Sequence, residues 1–216
     1  NYISLLGWAY DDAREFCRGE ELEELFSLEK INKAPAVFDY KKLDWFNGNY
    51  IREKSLPELR ELVLPFLQEA GLVSDPPTER EEGILEGAVP LIQERLKKLA
   101  DAPELTRFLF EEIDAYDPAE LLPKKTSAAE TRKILQASRE LLEGVDARSD
   151  EENEELFRAR AEELEVKIGN MLMPLRVAIT GSKVSPPLFS SIRLLGADVT
   201  KRRVDQALER IQQIQE

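Results

Sequence analysis

Histidine is absent from the 216 residues of this chain, and cysteine occurs once, as Cys17. Without histidine there is no imidazole base, no histidine metal ligand and no histidine-based triad. A single cysteine cannot form an internal disulfide, which fits a reducing cytoplasm, and it has no histidine to activate its thiol. We therefore expect no catalytic residue and no metal site in this chain.

Glycine-rich phosphate loops and long apolar runs are missing as well. No P-loop or dinucleotide-binding pattern of glycines occurs, and no apolar run approaches the roughly 18–20 residues that span a bilayer. We therefore predict no nucleotide cofactor bound by this chain and no membrane partner. An autonomous enzyme that uses paired carboxylates is disfavoured, since the many carboxylates lie on polar helix faces with nothing to raise a pKa.

The net charge of −13 is unevenly distributed along the chain. Acidic residues concentrate at 20–24, 79–86 and 146–165, whereas basic residues gather at 30–54 and 167–203. The acidic runs are typical of solvated helix faces. Because binding of phosphate requires local lysine and arginine, the two basic stretches are the candidate nucleic-acid-binding strips.

Apolar residues recur at helical spacing, with no sustained strand alternation and no repeat. The pattern predicts an all-α protein, a bundle or a superhelical stack, divided near residue 120. Thr78 is a candidate N-cap, followed by acidic first-turn residues. The predicted helices are 2–17 (broken at 7), 22–31, 38–52 with a bend at 47–49, 57–70, 84–100, 105–113, 128–142, 153–172, 187–195 and 199–214.

Two segments carry the most information, residues 41–52 (KKLDWFNGNYIR) and residues 174–196 (PLRVAITGSKVSPPLFSSIRLLG). The second segment contains a Ser-Pro-Pro corner just before a predicted helix. Each proline fixes φ and removes a backbone donor, so this corner is stiff and polar-edged. It is either a recognition surface or only a turn.

Together these segments resemble bacterial glutamyl-tRNA synthetases. Residues 2–8 (YISLLGW) resemble the family segment that follows the catalytic KMSKS loop, and residues 41–52 resemble the stem-contact segment. PLRVAITGS at 174–182 and SPPLF at 185–189 resemble the anticodon-binding end. The order and spacing match from end to end, and the chain starts inside an apolar pattern, so we expect a fragment of a longer protein.

The resemblance implies a helical bundle followed by an α-helix cage that binds the anticodon, without the catalytic Rossmann domain. It implies a stem-contact region at 1–56 and two anticodon-binding subdomains at 57–120 and 121–216. The full class I enzyme uses ATP and Mg²⁺; this part is expected to bind no cofactor and to be inactive alone. The implied partner is tRNA-Glu, together with tRNA-Gln in members that charge both. We expect a monomer.

Anticodon-contacting residues follow from the resemblance. Arg95 is implied to contact the third anticodon base, a cytosine; the alternative is a solvated helix residue. The first two bases are implied to meet the segment formed by Arg176, Ser185, Pro186, Pro187 and Leu188. For Arg176 the alternative is a helix-end arginine, and Leu188 is expected to pack on a base while Phe189 lies in the core.

Backbone contacts are implied at two further places. Four basic residues near the C-terminal end are either phosphate contacts or ordinary surface charge: Lys183, Lys201, Arg202 and Arg203. Trp45 and Phe46 are expected in the core. The family often has a methionine and a histidine where this chain has Phe46 and Asn49. The residues implied to meet the inner corner of the tRNA are Lys33, Lys41, Lys42, Asn47 and Arg52.

A different class of function remains open at this point, a helical protein-interaction scaffold that binds no nucleic acid. The acidic surface and the absence of catalytic residues fit a scaffold equally well. Salt-dependent binding of tRNA would separate the two.

Overall fold

A computed structural model describes residues 1–11, 14–17, 19–32, 35–113 and 116–214. Within these ranges the regular structure is helical, without strands, which confirms the all-α prediction. Short 3-10 helices occur at Ser4–Leu6, Leu28–Lys30, Leu99–Asp101, Pro118–Leu121 and Val145–Ala147. The α-helices are α1 (Gly19–Leu25), α2 (Tyr40–Arg52), α3 (Leu56–Glu69), α4 (Glu79–Gln93), α5 (Ala102–Phe110), α6 (Ala128–Leu141), α7 (Asp150–Glu163), α8 (Ile168–Thr180), α9 (Leu188–Leu195) and α10 (Ala197–Ile211).

Buried apolar side chains form two large clusters and a small one between them. One large cluster lies on α3 and α4 and extends from Ile51 to Ala102; the other lies on α6 to α10 and extends from Leu121 to Ile211. The small cluster packs α4 and α5 against α9, including Leu194. Because it joins the two large clusters, the elements that carry the candidate residues are packed on one another. The boundaries at 56 and 120 stay predictions.

Four helices begin with a capping box, in which the N-cap hydroxyl and a glutamate three residues later bond each other's backbone amides. The pairs are Ser55 with Glu58, Thr78 with Glu81, Ser127 with Glu130, and Ser149 with Glu152. The arrangement satisfies amides that have no partner in the first helical turn. The predicted N-cap at Thr78 is confirmed.

Acid should weaken the cap of α4. Hydrogen bonds from the Ser74 side chain and from Thr78 lower the pKa of Glu81 from 4.5 to about 2. The folded-state pKa is depressed, so this stabilisation is present above about pH 4.5 and is lost as the pH falls through about 2. Glu81→Ala is expected to lower Tm near neutral pH, and the difference from wild type should vanish near pH 2. Glu79→Ala, on the same exposed first turn, should not reproduce this pH dependence.

The predicted helix at 2–17 is wrong. Regular structure is confined to Ser4–Leu6 in the described part of that stretch. Two of its aromatic residues, Tyr2 and Phe16, instead pack on α2: the rings of Phe16 and Phe46 are 4.6 Å apart, and the Asp39 amide donates to the Tyr2 hydroxyl at 2.6 Å. The spacing of the aromatic residues therefore reflects contact with a neighbouring helix, a long-range effect that local periodicity does not distinguish.

The predicted bend at 47–49 is also wrong, since α2 continues to Arg52. Gly48 is buried, and a Cβ there would lie 3.3 Å from the carbonyl oxygen of Leu96. Glycine at this position therefore allows another backbone segment to approach closely, and it does not form a turn. On the same helix Phe46 is buried as expected, whereas Trp45 is 46% exposed and its predicted core position is wrong.

Two predicted helices are too long. The stretch at 153–172 divides into α7 and α8 because Glu165 has a positive φ of 55° and the Val166 amide bonds the Ala161 carbonyl, which closes α7. The stretch at 84–100 ends at Gln93, after which Leu96 turns inward and is 1% exposed. Burial of Leu96 thus creates a turn at residues 94–98, which we call the α4 turn.

Candidate nucleic-acid interface

Arg176 holds the Ser-Pro-Pro corner from within α8. Its Nη1 donates to the Ser185 hydroxyl and, at 2.9 Å, to the Pro186 carbonyl oxygen. A guanidinium has five N–H donors, and Nη1 carries two of them. The Nη2 and Nε donors make no hydrogen bond to the described residues, so Arg176 both fixes the corner and retains donors for a ligand.

The corner itself is largely buried. Ser185, Pro186 and Leu188 lie under the surface, whereas Pro187 is exposed. Leu188 is only 5% exposed and belongs to the core cluster with Phe189. The expected core position of Phe189 is confirmed, but a base-packing Leu188 does not fit this conformation. The face of the corner that a ligand can reach is that of Pro187 and the half-buried Arg176.

Arg95 lies in the α4 turn, on the other half of the chain from Arg176. Arg95 is exposed. It lies just after the end of α4, whereas the alternative interpretation placed it within a helix. Burial, and then the positive charge of Arg95, lower the pKa of Arg176. The two predicted anticodon arginines are 81 positions apart in sequence, yet the charge of Arg95 acts on Arg176. Neither makes an ion pair with any carboxylate in the described ranges.

The predicted stem-contact helix packs against the α4 turn. The Asn47 amide donates to the Lys97 carbonyl oxygen, and the Gln93 amide donates to the Lys54 carbonyl oxygen at 2.7 Å. Arg52 donates to the Asn49 side chain at 2.6 Å and lies 4.0 Å from Glu94. The structure thus places α2 against the α4 turn, and α4 itself packs on α9, the helix that follows the corner.

Other predicted phosphate contacts have carboxylate partners. Lys42 pairs with Glu15 at 2.6 Å, Lys183 with Glu120 at 2.7 Å, Lys201 with Glu143 at 2.5 Å, and Arg202 with Glu112. Exposed ion pairs contribute little, about 0–1 kcal/mol, so a phosphate can replace the carboxylate at small cost. Lys41 is exposed and makes no ion pair within the described ranges, whereas Lys33 lies outside the described residues.

The prediction that Arg203 is a phosphate contact or an ordinary surface charge is wrong, because the residue is only 3% exposed. Its guanidinium donates to the Ile179 carbonyl oxygen at 2.7 Å and to the Glu111 carbonyl oxygen at 2.9 Å. These carbonyls end α8 and α5, where helix dipoles favour a cation. Arg203 therefore ties the two halves together beneath the surface.

Sequence reasoning missed Lys97 and Lys98 as candidates. Both are exposed, and neither side chain pairs with a carboxylate among the residues that the structure describes. They lie two and three positions after Arg95, within the predicted helix 84–100, where helical spacing gives no reason to single them out. The sequence signal that could have identified them is the run Arg-Leu-Lys-Lys, in which only the leucine is apolar.

Neither a cluster of metal ligands nor a membrane-spanning helix occurs in the described ranges. No group of three or more histidine, cysteine, aspartate or glutamate side chains there could hold a metal ion. Nor is any helix there long and apolar enough to cross a membrane.

Comparison with known proteins gives consistent matches. A family described as anticodon binding domain matches residues 58–208. The chain is 48% identical over 209 residues to the glutamate–tRNA ligase of Borreliella burgdorferi, covering 97% of this chain and 43% of that protein. It is 50% identical over 196 residues to that of Borreliella afzelii, covering 91% and 40%. The chain therefore spans about two fifths of the length of the curated relatives it matches.

A solved structure shares the fold. The crystal structure of a glutamate tRNA ligase from Elizabethkingia meningosepticum, in complex with its amino acid, superposes with a TM-score of 0.69. The match has 24% sequence identity and covers 96% of this chain and 40% of that one. At that identity the likeness establishes the helical arrangement alone.

Proposed function

Because this chain belongs to the anticodon-binding domain family, we propose that it binds the anticodon arm of tRNA-Glu as part of a glutamate–tRNA ligase. The observation that carries the proposal is that Arg176 holds the Ser-Pro-Pro corner through Nη1, 2.9 Å from the Pro186 carbonyl oxygen, while neither Arg176 nor the exposed Arg95 has a carboxylate partner among the described residues. An RNA backbone would neutralise both charges. Arginine also donates to bases that single-stranded loops leave unstacked. A protein-interaction scaffold has no support in these findings.

The specificity that we propose rests on Arg95. Cytosine presents its carbonyl and ring-nitrogen acceptors to a guanidinium, whereas the guanine of a glutamine anticodon presents donors on the same edge. Because the Arg95 guanidinium has only hydrogen-bond donors, it favours a third anticodon base that presents hydrogen-bond acceptors. Arg176, with Nη2 and Nε available, is proposed to contact the other two bases beside Pro187.

Catalysis is proposed for the whole ligase and not for this part. The resemblance implies ATP and Mg²⁺, yet the described residues contain no metal-binding cluster, and the sequence has no glycine-rich phosphate loop. The residues present do not fit that nucleotide, so no catalytic step involves them. We propose that the chain orients tRNA for a catalytic domain, as a monomer in the cytoplasm; recognition of tRNA-Gln as well depends on Arg95.

Equilibrium binding to two tRNAs tests the specificity. They differ only in the third anticodon base, cytosine or guanine, and salt is held fixed. Wild-type chain is expected to prefer cytosine by about 1–3 kcal/mol, by analogy with base readout, and Arg95→Gln should lose that preference.

Arg80→Gln is the matched control for this test. It removes the same charge from the other end of α4, about 20 Å away at about 1.5 Å per residue, and should keep the preference. Equal binding of both tRNAs by wild type would remove Arg95 as the specificity residue. Absence of binding to either tRNA would contradict the proposed function.

A further inference from the structure

We propose that Lys97 and Lys98, in the α4 turn, bind RNA backbone phosphates between the stem-contact helix and the anticodon corner. The inference rests on the proposed function and adds a contact site to it. Three of the four residues at positions 95–98 are basic, namely Arg95, Lys97 and Lys98. This is a local excess of positive charge in a chain whose net charge is −13. Such crowding of like charges is unfavourable unless an anion lies nearby.

Nearby carboxylates do not neutralise the two lysines. Glu94 faces Arg52, with the nitrogen and oxygen atoms 4.0 Å apart. The carboxylate of Asp101 accepts from the backbone amides of Lys98 at 2.9 Å and Lys97 at 3.3 Å. Asp101 is thus engaged with the main chain, and the two ammonium groups are left without an ion pair in the part of the chain described here.

The turn is held rigidly where the proposal needs it. The buried side chain of Leu96 anchors it to the core, Asp101 caps its backbone, and Asn47 donates to the Lys97 carbonyl oxygen. A rigid turn loses little conformational entropy when a ligand binds. Rigidity therefore favours a defined contact over random attraction by mobile lysines.

The position of the turn identifies the ligand. On one side it contacts α2, whose exposed Lys41 and Asn47 are candidates for the tRNA inner corner. On the other side α4 packs on α9, the helix that begins directly after the Ser-Pro-Pro corner, and the charge of Arg95 acts on Arg176. The α4 turn is thus connected to both regions, and a polyanion that contacts both can also contact the lysines of this turn. A continuous phosphodiester backbone has that extent, whereas a single phosphate ion does not.

The salt dependence of tRNA binding tests the two lysines. For a single strand the logarithm of affinity falls with the logarithm of salt concentration by about 0.7 per phosphate contact. Lys97→Gln and Lys98→Gln are each expected to reduce that slope by about 0.7, equally for a cytosine and a guanine at the third anticodon position. Arg80→Gln removes the same charge and should leave the slope unchanged. Lys97→Arg and Lys98→Arg should retain it.

The outcomes are distinguishable. Wild-type slopes in both glutamine variants, with tRNA still bound, would overturn the lysine contacts and leave the proposed function standing. A change in cytosine preference at constant slope would overturn them too, since it indicates base contact and not phosphate contact. If wild-type chain binds no tRNA, the proposed function and this inference both fail. Unchanged Tm would show that the variants remain folded, as expected for exposed side chains.

Discussion

Arg203→Met is expected to lower the free energy of unfolding by about 3–5 kcal/mol, because a hydrogen bond to a charged group contributes about 1.5–3 kcal/mol and two are lost. Methionine fills similar volume but leaves the carbonyl oxygens of Ile179 and Glu111 without their donor. Burial lowers the pKa of Arg203, so the desolvated charge depends on these two helix ends. Urea unfolding followed by circular dichroism measures the loss.

Its neighbour supplies the control. Arg202 pairs with Glu112, but both side chains are about half exposed, at 51% and 55%. Arg202→Met should cost at most about 1 kcal/mol. Arg203→Lys should recover only part of the loss, since an ammonium lacks the planar fork that reaches two carbonyls. Equal effects of the changes at 202 and 203 would contradict the role of Arg203 in joining the halves.

Arg176→Ala should weaken tRNA binding by about 30- to 150-fold, equivalent to ~2–3 kcal/mol for lost charge-assisted hydrogen bonds. The alanine variant removes the donors that face the ligand and releases the Ser-Pro-Pro corner. Binding of a tRNA with a glutamate anticodon, measured by fluorescence anisotropy, gives the change.

Ser185→Ala separates the two effects of Arg176. It removes one hydrogen bond that holds the corner but keeps the guanidinium. The bond to the charged guanidinium contributes about 1.5–3 kcal/mol to the stability of the corner, but the bond from Arg176 to the Pro186 carbonyl oxygen remains, so affinity should fall by about tenfold or less. If Ser185→Ala and Arg176→Ala weaken binding equally, Arg176 acts only by holding the corner and makes no contact of its own.

Local signals in the sequence located most helices. The hydroxyl-to-glutamate spacing at Thr78 and Glu81 determines a helix start because both partners lie within one turn. The same kind of reasoning failed at Glu165, where a non-glycine residue adopts positive φ and divides a continuous apolar pattern. It failed again at residues 2–17, whose aromatic spacing is set by packing on α2.

The candidate site was predictable only in its parts. Arg95 and Arg176 were predicted from a resemblance carried by short motifs, yet no local pattern says that the charges of two arginines 81 positions apart act on each other. The family resemblance assigned Leu188 to the ligand, whereas the helix that begins at this residue turns it into the core. Lys97 and Lys98 became candidates only once α4 was seen to end at Gln93.

The sequence by itself determined the helical class, the N-cap at Thr78, the absence of imidazole chemistry and the two basic stretches, because these depend on residue types and on neighbours within a few positions. Tertiary structure decided which basic residues are left without carboxylates. It buried Arg203, paired Lys183 and Lys201, and kept Arg95, Lys97 and Lys98 exposed. The reason is physical: the burial and pairing of a charge depend on contacts between residues distant in sequence, which only packing of the helices creates.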